Sequence, residues 1–190
     1  MDTQITDEMQ GTLLKLAREA LQLAAEGREL PPIDLNALPT LLREPGASFV
    51  TLTKDNALRG CIGTLEAKLP LAEDVRQHAL AAALYDYRFP KVQPDEVDHI
   101  KIEVSILTEP KPLEYKDSEE LLSLLRPEMD GVILTDGIRR ATFLPQVWKR
   151  IPSPTLFLSM LCEKASLAPD AWRKENLQVF VYQVMEIHEK

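Results

Sequence analysis

Arg59 and Cys61 stand two residues apart in the stretch LRGCIGT, with Gly60 between them and Gly63 two places further on. Side chains on a strand alternate between faces, so an extended run puts Arg59, Cys61 and Gly63 on one side and Leu58, Gly60 and Ile62 on the other. A guanidinium beside a thiol favours the thiolate, the form that attacks electrophiles. The missing side chain of Gly63 would leave room for a ligand next to the sulfur. On this reading Cys61 is the candidate catalytic residue. Arg59, Gly60 and Gly63 are candidate ligand-binding residues, and the planar donors of Arg59 suit an anionic small molecule. The alternative is structural: cysteine often packs as a small hydrophobe, and glycines in strands mark bulges or close backbone approach.

Other groups could complete such a site. His78 lies at helical spacing from Val75, Ala82 and Tyr85, which predicts that it faces a sheet. There it would serve as base for a thiol, or pack with a backbone hydrogen bond. Glu103 and Ser105 share a strand face and either line a cleft with Arg59 or meet water. In FLPQVW, residues 143–148, Pro145 suits the first turn of a short helix that holds Gln146 beside Trp148. Gln146 is then a further ligand-binding candidate on a pocket wall, and the alternative for this segment is a hydrophobic anchor. Asp86 and Arg88 are expected to form a local ion pair, worth little if exposed. The histidines and cysteines show no ligand-like spacing, so no metal is expected. No phosphate-cradling glycine loop and no GxSxG elbow occurs, so no cofactor is expected either.

Periodicity supplies the elements that must hold these groups. Residues 48–53 and 58–65 predict a hairpin turned at Lys54–Ala57, with Asn56 suited to positive φ. A helix capped by Thr6 carries Leu13, Leu16, Ala17, Ala20, Leu21 and Ala24 on one stripe and stops near Gly27. A proline-rich connector with a helical turn near Pro39–Leu42 follows. Residues 70–89 predict a second helix, its alanines allowing close approach to a sheet, ended by Phe89-Pro90. Residues 99–110 alternate as a strand, SEELLSLLR reads as a short helix capped by Ser118, and GVILTDGIRRATFLP is a hairpin turned at Asp136-Gly137. PTLFLSMLCEKASL is helical, and LQVFVYQVMEI reads as one long closing strand. The fold class is α+β, mainly antiparallel sheet with packed helices, in a two-lobed single domain spanning residues 1–190.

The 190-residue chain is 45% hydrophobic and 27% charged, with a formal net charge of −8. Such an acidic chain repels phosphate backbones, so nucleic acid is not an expected partner. Two widely separated cysteines, Cys61 and Cys162, do not suggest a disulfide framework. The acidic start MDTQITDEMQ lacks the pattern of a signal peptide, and no run reaches the length of a membrane span. A cytoplasmic location is expected, with no membrane partner.

The run FVTLTKDNALRGCIGTLEA closely resembles the signature of the AMME chromosomal region gene 1 domain family, which in bacteria and archaea is protein A of the AmmeMemoRadiSam system. ALYDYRFPKVQPDEVDHIKIEVSILTEP, GVILTDGIRRATFLPQVWKRIP and FLSMLCEKASLAPDAW extend the resemblance over nearly the whole chain, in order. It implies a two-lobed α+β fold with a larger and a smaller lobe, no established biochemical activity, and association with a Memo-type protein and a radical SAM protein. The chain departs from the family pattern at Asp86-Tyr87-Arg88-Phe89, where Asp-Pro-Arg-Phe is usual, and at Lys164-Ala165-Ser166, where Lys-Ala-Gly is usual. The second departure puts a left-handed helix cap in question. Two function readings follow. One is a small-molecule or modification site at the LRGCIGT strand, in a cleft between lobes. The other is a non-catalytic adaptor for the Memo-type and radical SAM proteins.

Overall fold

Helix α1 (Asp7–Ala25) starts where the Thr6 hydroxyl accepts a hydrogen bond from the Met9 N–H, with Asp7 and Glu8 in the first turn. Its buried stripe is Leu13, Ala17, Ala20, Leu21 and Ala24. A 3-10 turn at Leu35–Ala37 and the short α2 (Thr40–Arg43) interrupt the proline-rich connector. Strands β1 (Pro45–Lys54) and β2 (Ala57–Gly63) form the hairpin, and its turn residues Asp55 and Asn56 both have positive φ, 52° and 61°. Two such residues give a turn whose twist matches that of the strands. β3 (Leu69–Pro70) pairs with the start of β1 and leads into α3 (Leu71–Leu84). A 3-10 turn at Pro94–His99 then delivers β4 (Ile100–Leu107), antiparallel to β1. The computed structural model describes residues 5–174 and 177–189. They divide into two units, one running to Leu107 and resuming at Met185, the other Thr108–Val184.

The second unit contains β5 (Lys111–Pro112), α4 (Ser118–Leu124), β6 (Gly131–Thr135), β7 (Arg140–Phe143), α5 (Pro154–Lys164), α6 (Ala171–Lys174) and β8 (Gln178–Tyr182). Its strands lie in the order β5-β8-β6-β7, all antiparallel. The core centres on Trp148, whose ring stacks on Phe157 at 3.6 Å between centroids and whose Nε1–H donates to the Asp130 carbonyl at 2.8 Å. Strand β9 (Val184–His188) then joins the first sheet, giving the order β2-β1-β4-β9. Both sheets are antiparallel with helices packed on them, the expected α+β class. No described helix is long and apolar enough to cross a membrane.

Three local expectations are corrected. LQVFVYQVMEI is not one strand: the Gln183 N–H donates to the Thr108 hydroxyl and its carbonyl accepts from the Thr108 N–H, which breaks the run into β8 and β9. Apolar periodicity continues through that break because it reports burial, not which sheet a residue joins. Helix α3 ends at Leu84, not at Phe89. The cap of α4 is Asp117, whose Oδ1 accepts from the N–H groups of Glu119 and Glu120, and not Ser118. After α5, Ser166 adopts φ 60°, so the left-handed cap forms without glycine.

In the first unit, Val50, Leu52, Val75, Ala79, Ile102 and Val104 belong to one buried apolar cluster formed by the sheet, α1 and α3. The alanines of α3 allow very close approach. A Cβ added at Gly60 would stand 2.3 Å from the Ala82 carbonyl oxygen.

Candidate functional site

Strand β2 carries a bulge, and that decides where its candidate residues point. Thr51 pairs with Cys61 and Leu52 with Gly60, but Thr53 pairs with Leu58, leaving Arg59 as an extra residue. Leu58 and Cys61 therefore share the sheet face away from α3, while Gly60 faces the helix. Arg59 leaves the alternation altogether. Its Nε and Nη2 donate to the two carboxylate oxygens of Glu96 at 3.1 and 2.8 Å, and its Nη1 donates to the Pro90 carbonyl at 2.8 Å. Its side chain is only 11% exposed, and Lys54 adds a further contact to Glu96 at 3.0 Å. The hydrogen bonds from Arg59 hold the Glu96 carboxyl down at about 2, against the burial that opposes them. The expectation that Arg59 shares the face of Cys61 is corrected: the bulge turns it aside, and its Nε, Nη1 and Nη2 each donate to a protein acceptor.

The guanidinium near Cys61 belongs to Arg88. The Cys61 N–H donates to Asp86 Oδ2 at 2.9 Å, and the Cys61 carbonyl accepts from Arg88 Nη2 at 3.3 Å. Asp86 and Arg88 are joined by a fork of two bonds, Nε to Oδ1 at 2.8 Å and Nη2 to Oδ2 at 2.6 Å. Arg88's hydrogen bonds set the Asp86 carboxyl at about 2. The Thr51 hydroxyl lies 3.3 Å from Cys61 Sγ. Burial pushes the thiol pKa up, and the Thr51 contact and the Arg88 charge pull it back only in part. Burial thus disfavours the Cys61 thiolate, the opposite of what the Arg59 reading expects. Glu103, paired with Thr51 across β1 and β4, adds a further upward push.

The two glycines have structural reasons. Gly60 lets α3 close on the sheet. A Cβ at Gly63 would lie 2.3 Å from the Phe49 ring and 2.4 Å from the Ser48 carbonyl, so the slot expected beside the sulfur is filled. His78 is on the other side of the sheet from Cys61. Its Nδ1 is 3.1 Å from Asp74 Oδ2, an oxygen that also accepts from the buried Ser48 hydroxyl at 2.6 Å. Glu103 and Ser105 do share the face of Cys61, with Ser105 buried and its Oγ 3.4 Å from Glu103 Oε1. Gln146 lies in the second unit, on the 3-10 turn Pro145–Lys149 between the buried Pro145 and Trp148. Four of the five candidates thus share β2, and Gln146 does not join them within one unit. Among the described residues no cluster of three or more His, Cys, Asp or Glu side chains is placed to hold a metal ion.

Sequence reasoning missed Thr51, Glu96 and the wider role of Asp86. The available signal was the short spacing of Asp86 and Arg88 after a helix end, which marks a pair but not the strand edge it serves.

The AMMECR1 family profile matches residues 14–187. The chain belongs to the AMMECR1 family. Among its AMMECR1 relatives, an uncharacterized protein of Thermofilum pendens is 40% identical over 188 residues, covering 90% of this chain and 85% of that one. A second, from Methanothermobacter thermautotrophicus, is 39% identical over 186 residues, covering 94% and 93%. The crystal structure of an uncharacterized protein of Pyrococcus horikoshii superimposes with a TM-score of 0.88 at 35% identity, over 98% of this chain and 94% of that one. In this AMMECR1 chain, the departure at residue 87 places a tyrosine that is 96% exposed next to the Asp86–Arg88 pair.

Proposed function

We propose that this AMMECR1 protein is a binding module acting in a partner complex, with the Memo-type and radical SAM proteins implied by the family as its expected partners. The observation that carries this reading is the state of the LRGCIGT strand. Arg59 is spent on Glu96 and Pro90, and Cys61 is partly buried with its backbone clasped by Asp86 and Arg88, with His78 on the far side of the sheet. Side chains so committed shape and stiffen a surface. Purified Memo-type and radical SAM proteins should each be tested for co-migration with this protein by analytical ultracentrifugation. A stable complex at micromolar concentration is expected, and separate sedimentation of all three sinks the reading.

One observation favours a second reading, a small-molecule or modification site centred on Cys61. Thr51, Glu103 and Ser105 gather polar groups on the Cys61 face, and Arg88 offers donors to an anionic ligand. Iodoacetamide labelling of Cys61 separates the two. A rate that rises only at alkaline pH, as for a thiol whose ionisation burial disfavours, fits the binding module. Fast labelling at neutral pH favours the second reading.

A further inference from the structure

We infer that residues 85–91 form a docking surface for an acidic segment of a partner protein; this rests on the binding-module reading and names the chemistry of the partner. Tyr85 and Tyr87 are 65% and 96% exposed. Between them Asp86 points inward, so the Asp86–Arg88 pair turns its halves in opposite directions: the Asp86 side chain is 2% exposed and that of Arg88 is 45% exposed. Lys91 is exposed as well. The accessible charges of this segment are therefore cationic, on a chain whose formal net charge is −8. Arg88 uses Nε and Nη2 for Asp86 and Cys61, which leaves the two donors of Nη1 for another acceptor.

The surface is also pre-organised. The Phe89 N–H donates to the Asp86 carbonyl at 3.0 Å, and the Val92 N–H donates to the Ala83 carbonyl at 2.9 Å. Arg59 holds the Pro90 carbonyl, and the Cys61 N–H anchors Asp86. Little backbone entropy remains to be lost on binding. Two exposed tyrosines beside an arginine supply the residue types that dominate interface energetics. Carboxylates would meet Arg88 and Lys91 while apolar side chains cover the rings. Aromatic and cationic groups also suit single-stranded nucleic acid, and the oligonucleotide arm of the test separates the two.

The test titrates a fluorescein-labelled acidic peptide of repeated Glu-Glu-Leu triplets, a basic peptide of repeated Lys-Lys-Leu triplets, and a single-stranded oligonucleotide into the full chain. Amide chemical shifts are followed in parallel. The acidic peptide should bind, weaken with added salt, and shift signals within residues 85–91. A variant carrying Tyr87→Ser and Lys91→Glu leaves the clasp on Cys61 intact. It should unfold like the parent and bind the acidic peptide about tenfold more weakly. No binding of the acidic peptide, equal binding of the basic peptide, tighter binding of the oligonucleotide, or parent-like binding by the variant overturns the inference. The partner-complex experiment reads the binding-module function separately. A variant that still captures the Memo-type or radical SAM protein like the parent removes this surface and leaves that function standing.

Discussion

The carboxylate of Asp86 accepts the backbone N–H of Cys61, and through it a loop closes the outer edge of strand β2. β2 ends the first sheet, so among the described residues the outward backbone groups of Cys61 meet no further strand. Asp86 takes its N–H and Arg88 its carbonyl, replacing a neighbouring strand with one ion pair. Exposed edges invite pairing with other chains, and a covered edge does not. Asp86→Ala should leave the Cys61 N–H unsatisfied and Arg88 without its counter-ion, at a cost of about 2–4 kcal/mol. Hydrogen exchange at the Cys61 amide should accelerate in the same variant. Parent-like exchange and stability would show that the clasp does not hold the edge.

Acid should loosen this unit over a defined range. Asp86 and Glu96 both have carboxyls held at about 2, by Arg88 and by Arg59 respectively. In the unfolded chain they return to the ordinary range near 4. Their folded values are depressed, so their contribution is complete above roughly pH 5 and is lost as pH falls through 4 toward 2. Urea midpoints measured from pH 6 to 2 should drop in that window. Glu96→Gln should lower the plateau and flatten part of the drop. A parent profile that is level down to pH 2.5 would contradict the assignment.

Arg59→Ala should harm folding. The side chain makes three hydrogen bonds from a nearly buried position, and its loss leaves Glu96 with only Lys54 and the Gln93 N–H. A cost of about 2 kcal/mol or more is expected, comparable to truncating Ile62 beside the core. Arg59→Lys should recover little, because one ammonium cannot serve both Glu96 oxygens and the Pro90 carbonyl. Thermal unfolding of the three variants checks this. A shift for Arg59→Ala within the noise of a surface change would show that these hydrogen bonds do not hold the fold.

The hairpin around Asp55 and Asn56 was legible because turn chemistry and strand alternation are local. The facing of Arg59 was not, although it lies only three residues away. Alternation holds for an unbroken strand, and one bulged residue moves Leu58 to the face of Cys61 and releases Arg59 sideways. The partners that fix Arg59, Glu96 and Pro90, lie more than thirty residues along the chain, where no spacing rule reaches. The same applies to Cys61, whose thiolate is disfavoured by burial that sequence does not display. Asp86 and Arg88 were visible as a pair, but the strand edge they cover is a property of the sheet order. The break at Gln183 was hidden for a related reason, since both halves of the segment are equally apolar.

Ser166 offers a change that should stabilise the protein. It follows α5 with φ 60°, and its own N–H donates to the Glu163 carbonyl while the Leu167 N–H donates to the Cys162 carbonyl. This pair of bonds satisfies the last carbonyls of the helix and demands a left-handed residue at position 166. A side chain with a Cβ is disfavoured there by about 1–2 kcal/mol, and glycine is not. Glycine loses more backbone freedom on folding, which offsets part of that gain. Ser166→Gly should therefore raise stability by roughly 0.5–1 kcal/mol, read from urea midpoints. The Arg139 guanidinium bonds the Ser166 carbonyl at 3.0 Å, a backbone contact that the substitution keeps. Ser166→Val provides the opposite case: a β-branched side chain at positive φ should lower the midpoint. If glycine lowers it too, the cap at Ser166 is held by the serine side chain and not by backbone geometry.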